Sequence, residues 1–225
     1  MTLTASGWFP PEEKLPLWET VGVSDQSRRR AHVDEAVDSV IRNGLRAVIL
    51  VEGASDHNAL QTLSQRQGRD LHAEGISILP IGGATNAVHF LRSLRPHRLD
   101  VAGLCDVGEE RAFQGGLERA GMGSGLSRAD MESLGFFVCI DDLEDELIRA
   151  LGTEHVESVI NEQGELDSFR RFQAQPMQRA RTVDQQLRRF MGTRSGRKAR
   201  YAHVLVASMD LASMPRPLEM VLRSV

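Results

Sequence analysis

Apolar positions follow two rhythms along the chain. The first is the short unbroken run, as in Ala47-Val48-Ile49-Leu50-Val51 and Val101-Ala102-Gly103-Leu104-Cys105. Runs of four to eight such residues bounded by turn signals fit strands buried on both faces. They predict strands over 46–52, 76–81, 100–105 and 135–140. The second rhythm is helical spacing. Val33, Ala36, Val37, Val40 and Ile41 share one helix face over 29–43, with Gly44 as a stop. Ser55 is the expected cap of a helix to Arg66 that places Ala59, Leu60 and Leu63 on one side. A further helix is expected over 85–94, after Gly82-Gly83. Beyond Asp141 the strand signal fades, and segments 142–151, 153–163, 165–174, 178–191, 196–209 and 216–224 all suit helices. Strands alternating with helices define an α/β fold, a Rossmann-like four-stranded parallel sheet flanked by helices, with a C-terminal helical extension.

The expected organisation is an N-terminal extension over 1–28, an α/β core over 29–150 and a helical subdomain over 151–225. Phe9-Pro10-Pro11 and Leu15-Pro16 resist regular structure in the extension, which Trp8, Leu17 and Trp18 tie to the body. At 41% hydrophobic residues the 225-residue chain can fill a core, which excludes general disorder. Cys105 and Cys139 lie inside apolar segments and show no metal or disulfide spacing. The seven histidines show no paired metal spacing either. No secretion signal is visible, and no segment reaches the ~20 apolar residues of a membrane span, so the expected location is cytoplasmic.

Charge adds an asymmetry that the net value of -4 conceals. Residues 106–167 carry 16 acidic side chains against 4 arginines, whereas 168–200 carry 9 arginines and 1 lysine against 1 aspartate. Solvated helix faces account for many charge runs. An acidic block followed by a basic one is also what a cation site beside a phosphate-binding surface requires.

The chemistry gathers at strand ends. Glu52 closes the first strand, Gly53 permits a tight turn, and Asp56 falls on the first turn of the next helix. Asp106 closes the third strand, with Glu109 and Glu110 close behind. The run Asp141-Asp142-Leu143-Glu144-Asp145-Glu146 follows the fourth strand. Much of that run complements a helix N-terminus, and Glu144 is preferred over Asp142 as the carboxylate that reaches inward. Ligands lie beyond the carboxyl ends of strands in open α/β sheets. Oxygen-only donor sets there suit Mg2+ or Mn2+.

Leu50-Val51-Glu52-Gly53 with Asp56, followed by Leu104-Cys105-Asp106, resembles the topoisomerase–primase (TOPRIM) domain. That family pairs a strand-end Glu with a later Asp-x-Asp to hold divalent metal on a Rossmann-like sheet. Asp56, the Ile81-Gly82-Gly83-Ala84-Thr85-Asn86 turn and the Asp142-Leu143-Glu144-Asp145 run are similar to one branch, the overcoming-lysogenization-defect (OLD) family nucleases. The resemblance covers residues 45–150 and implies metal ligands at Glu52, Asp56, Asp106, Glu109 and Glu144. Gly108 stands where the second Asp of the pattern belongs, leaving Glu109 or Glu110 to supply that ligand. OLD nucleases carry an ATPase domain before the TOPRIM domain. No Gly-x-x-x-x-Gly-Lys-Ser/Thr loop occurs in this sequence, so any ATPase is expected as a separate partner subunit.

Lysine is rare here: Lys14 and Lys198 stand against 25 arginines. Lys198 occupies a position like that of the functional lysine of OLD nucleases in the helices after the core. Its compact ammonium suits developing phosphoryl charge, whereas Arg suits bidentate phosphate grip. The expected function is a Mg2+- or Mn2+-dependent DNA nuclease, cutting, nicking or religating phosphodiesters, with Glu52 and Lys198 catalytic. Arg170, Arg171, Arg179, Arg181, Arg188, Arg189 and Arg197 would grip the DNA backbone. The main alternative is a degraded module that binds nucleic acid or a partner ATPase without cleaving. A receiver-like phosphate-accepting domain is a weaker one, because the long helical C-terminal third does not match it.

Overall fold

The computed structural model describes residues 25–225. The extension expected over 1–28, with Trp8, Leu17 and Trp18, lies outside the described residues up to residue 24, and a helix already runs from Asp25. Four strands form the sheet: β1 (Ala47–Val51), β2 (Ile76–Pro80), β3 (Asp100–Cys105) and β4 (Phe136–Val138). They are all parallel, in the order β2-β1-β3-β4. The helices are α1 (Asp25–Arg42), α2 (Ala54–Arg66), α3 (Ala87–Leu94), α4 (Glu110–Arg119), α5 (Arg128–Ser133), α6 (Leu143–Leu151), α7 (Thr153–Glu162), α8 (Leu166–Gln173), α9 (Val183–Met191), α10 (Arg197–Ser208) and α11 (Arg216–Arg223).

The period of two in β1 assigns its side chains to two cores. Ala47, Ile49 and Val51 join one cluster, and Val48 and Leu50 join the other. The first cluster continues through α2 and α6 to α11, so Phe169, Leu187, Tyr201, Leu205 and Leu218 pack in one continuous core with the sheet. The second holds α1, α3, α4 and α5 against the opposite face. Both faces are therefore covered, which is why the strands are mostly apolar, β1 entirely so. Each sulfur of Cys105 and Cys139 is buried, and burial pushes both thiols well above their ordinary pKa.

Three departures from the sequence reading have physical causes. α4 and α5 occupy a stretch without a visible helical rhythm. Gly115 and Gly116 dilute α4, but Gly116 lets it approach α3: a Cβ there would lie 3.2 Å from the Val88 backbone nitrogen. α9 starts at Val183 and not at residue 178, because Thr182 and Gln185 form a capping box that fixes its first turn. α2 starts at Ala54. Gly53 rather than Ser55 is its N-cap, and its N–H donates to Asp56 Oδ2 at 3.0 Å.

Candidate metal centre and basic groove

β1 and β3 are neighbours, yet the chain leaves β1 for β2 on one side before returning to β3 on the other. This reversal is the topological switch point at which α/β sheets open a crevice. Glu52 and Asp106 sit directly beyond these two strand ends. The Gly82-Gly83 turn, with φ of 66° and 112°, keeps bulk away from the crevice. Gly82 N–H is tied to Glu52 O at 3.1 Å.

A cleft of about 300 Å³ forms there, lined by Glu52, Ser55, Asp56, Asp106, Glu144 and Lys198 together with the glycines. Five residues singled out from sequence therefore meet at one place. Glu109 stands behind them: it shares a side-chain hydrogen bond with Glu52, and its Oε2 is buried without a partner. Glu110 turns away into an ion pair with Arg128. Asp106 Oδ1 accepts the Leu143 N–H at 3.2 Å, fixing the start of α6 against the end of β3. Glu144 is only 4% exposed, and its Oε2 accepts from Lys198 Nζ at 2.7 Å.

Electrostatics mark the cleft as strained for anions. Burial, reinforced by the charges of Glu144 and Glu52, raises Asp56 to about 7. Burial and the neighbouring Asp56 and Asp142 raise Asp106 to about 7. Burial and the hydrogen bond with Glu52 raise Glu109 to about 8. Partial burial would lower Lys198, but Glu144 outweighs it and holds the ammonium above its ordinary pKa. Among the described residues, no three His, Cys, Asp or Glu side chains already converge tightly enough to hold a metal ion. The donor chemistry nevertheless fits a hard cation. An all-carboxylate set, three members raised by mutual repulsion and burial, and an orphaned Glu109 oxygen all call for positive charge.

Lys198 also lines a second, larger groove of about 890 Å³ with Arg181, Arg188 and Arg189. This groove shares Phe172 and Thr193 with a third depression, lined by Arg171 and Arg194. The basic residues thus form a continuous surface ending at the acidic cleft. Arg188 Nε donates to Asp142 Oδ2 at 2.6 Å, while Asp142 Oδ1 caps α6 through Asp145 N–H at 2.9 Å. Asp142 is thereby a cap and an Arg partner, a role that its spacing to Asp145 could have signalled. Arg170 pairs with Glu157, and Arg179 donates to Ala174 O at 3.3 Å. Arg197 requires a correction. It is 4% exposed, stacks on Phe190 at 4.1 Å and binds Glu165, so it is a buried rivet and not a surface phosphate contact.

A doubly covered parallel sheet with a Glu–Asp pair at its switch point is similar to the arrangement expected from the TOPRIM resemblance. Comparison with known proteins makes this specific. Residues 45–107 match the family model for the overcoming lysogenization defect protein-like TOPRIM domain. The C-terminal region of the Xanthomonas campestris pv. campestris OLD protein, phased with platinum, has a similar fold with a TM-score of 0.63. It is 24% identical, with 80% of this chain and 92% of that one covered. The C-terminal region of the Burkholderia pseudomallei OLD protein aligns with a TM-score of 0.60 at 17% identity, covering 80% and 96% of the two chains. No curated protein matches the chain in sequence. The chain carries an OLD-like TOPRIM segment, and its fold is that of OLD C-terminal regions.

Proposed function

We propose that this chain is a divalent-metal-dependent DNA nuclease module, with Mg2+ or Mn2+ held by Glu52, Asp56, Asp106, Glu109 and Glu144. The observation that carries the reading is the junction at Lys198, one side chain lining both the acidic cleft and the basic groove. A phosphodiester backbone lying along Arg181, Arg188 and Arg189 is delivered at that junction to the carboxylates. Bound cations supply charge neutralisation and water activation for an in-line displacement.

The chain's own groups supply the remainder. Glu109, raised to about 8 by burial and by its hydrogen bond with Glu52, can hold a proton beside the cleft near neutrality. Lys198 neutralises charge that develops on the phosphoryl oxygens, and it can turn from Glu144 toward substrate because its side chain is 47% exposed. The arginines hold sugar–phosphate backbone without reading sequence. An ATPase, where one takes part, acts as a partner.

A second reading, a module that binds DNA without cutting it, rests on Gly108 in place of the second Asp and on the open arrangement of the carboxylates. Supercoiled plasmid incubated with Mg2+, Mn2+, Ca2+ or EDTA separates the two. Nicked or linear product in Mg2+ or Mn2+ alone supports the nuclease. Retarded but intact plasmid in every condition supports the binding module.

A further inference from the structure

Glu165 lies far from the acidic cleft in sequence and was absent from every motif, yet it has the densest set of partners in the C-terminal helices. It immediately precedes α8, and both of its carboxylate oxygens are engaged by α10. Oε1 accepts from Arg197 Nη2 at 2.9 Å. Oε2 accepts from Tyr201 Oη at 2.9 Å and from Arg200 Nη2. Residues 197, 200 and 201 are spaced i, i+3 and i+4, so they share one face of the first turn of α10. Burial works to raise the Glu165 carboxyl, but the donors from Tyr201 and Arg197 outweigh it and hold it below the usual range. The same Arg197 donates to Phe190 O at 3.1 Å and to Thr193 Oγ1 at 2.5 Å, tying in the end of α9 and the turn that follows.

That turn explains why a clamp is needed. α10 begins after Gly196, whose φ of 72° reverses the chain into the helix. Lys198 is the second residue of α10, on the flank beside the clamped face. Its Nζ reaches Glu144 Oε2 on α6, and no other described side chain of α10 makes an ion pair with α6. α2 also holds α10, its first turn through Asn58 Nδ2 to Ala199 O at 3.1 Å and its middle through the Thr62 Oγ1–His203 Nδ1 hydrogen bond at 2.7 Å. Asn58 thus holds the backbone of the first turn, where Lys198 sits, while Glu165 holds the side chains of that turn.

We propose that Glu165 is a positioning residue that fixes the first turn of α10 so that the Lys198 ammonium is presented to Glu144 and the acidic cleft. This rests on the catalytic reading of Lys198 given above. Glu165 is the carboxylate partner of the buried Arg197 guanidinium, whose Nε already lacks an acceptor, so loss of the carboxylate leaves Arg197 buried without its counter-charge and loosens the turn.

Having only two lysines makes the test direct. Protein labelled with 13C-lysine gives two side-chain ε-methylene signals at pH 7, and Lys198→Arg identifies the Lys198 signal. Glu144→Gln supplies the reference position for Lys198 without its ion pair. In Glu165→Ala the Lys198 signal is expected to move most of the way to that reference, and in Glu165→Gln only part of the way. Plasmid cleavage in Mn2+ should fall about tenfold to a hundredfold in kcat for Glu165→Ala, as misplacement of a reacting group does. KM for DNA should stay within about twofold, since Arg181, Arg188 and Arg189 are untouched. A Glu165→Ala protein with a lower Tm but an unmoved Lys198 signal overturns the proposal, leaving Glu165 a stability residue only. Should Glu165→Ala fail to fold, Tyr201→Phe and Arg200→Ala each remove one donor and are read the same way, an unmoved signal in both again overturning it. A wild type that cuts no DNA removes the nuclease reading, while the Lys198 signal still decides whether Glu165 positions that side chain.

Discussion

Asp56, Asp106 and Glu109 carry the most strain at the residue scale. Each favours its neutral form in the fold, first through burial and then through neighbouring carboxylates or the Glu52 hydrogen bond. The folded protein thus binds protons between the ordinary carboxylate range near 4 and about 7 for the two aspartates, about 8 for Glu109, that the unfolded chain has released. Stability from these groups is full at the acid end of that window and declines as pH rises through about 7. In EDTA, Tm is expected to rise by a few degrees as pH falls from 8 to 5.5. Mn2+ at pH 8 should recover a similar increment by neutralising the ionised set. Asp106→Asn should be no less stable than wild type in EDTA at pH 8, yet lose plasmid cleavage. A Tm indifferent to both pH and metal would remove the carboxylates from any shared site. Lys198→Ala should cut the cleavage rate by about a hundredfold, since one such interaction is worth ~3 kcal/mol, with DNA affinity in Ca2+ little changed. Lys198→Arg should restore little, because a flat guanidinium does not replace a point charge. Equal losses in binding and cleavage would reduce Lys198 to one more phosphate contact.

Elements bring these residues together through close approaches that side-chain volume controls. Gly103 in β3 is an instance: a Cβ there would lie 2.6 Å from Phe136 Cδ1 and 3.3 Å from Leu50 O. The Phe136 ring packs across the strand and sets the spacing between β3 and β4, and hence between Asp106 and the start of α6. Gly103→Ala should therefore cost about 1–3 kcal/mol in urea unfolding, as overpacking does. Cleavage should fall with it because Asp106 moves relative to Leu143 N–H. A neutral Gly103→Ala would mean that β4 shifts freely and does not register the site. The strands were legible because both faces are buried, which makes them short and largely apolar; β1 and β3 end in acid, whereas β2 ends at the Gly82-Gly83 turn. α6 to α11 were legible as helices where the strand signal fades, some on weak periodicity, with the start of α9 set by a capping box. α4 was not, since Gly115 and Gly116 serve its packing and erase its propensity. The cleft was legible as Glu52, Asp56, Asp106 and Glu144 because strand ends and helix starts mark themselves. Glu165 and Arg197 were not, because a carboxylate and an arginine 32 residues apart carry no local pattern, and burial of Arg197 is decided only when α8, α9 and α10 meet.

Over the whole molecule, the order of charge along the chain becomes a spatial gradient. The acidic block adds Asp106 and Glu144 to the Glu52 and Asp56 of the cleft, the basic block supplies the groove, and the fold joins them at Lys198 although 142 residues separate it from Asp56. No described helix is long and apolar enough to cross a membrane. The expected consequence of the gradient is DNA binding governed by counterion release, measurable as the slope of log Kd against log salt in Ca2+. Each independent phosphate contact contributes roughly 0.9 to that slope. Arg189 lines the groove and makes no ion pair among the described residues, so Arg189→Ala should lower the slope by about that amount. Arg188 differs, because Asp142 and Asp141 lie 2.6 and 3.7 Å from it and already neutralise part of its charge. Arg188→Ala should thus change the slope by clearly less than Arg189→Ala. Asp142→Asn, which releases Arg188 while preserving an acceptor for the α6 cap, should tighten binding and steepen the slope. Equal effects of the two arginine variants would show that Arg188 leaves Asp142 whenever DNA is bound. No change in slope for either would move the DNA path off this groove, and with it the delivery of a phosphodiester to Lys198.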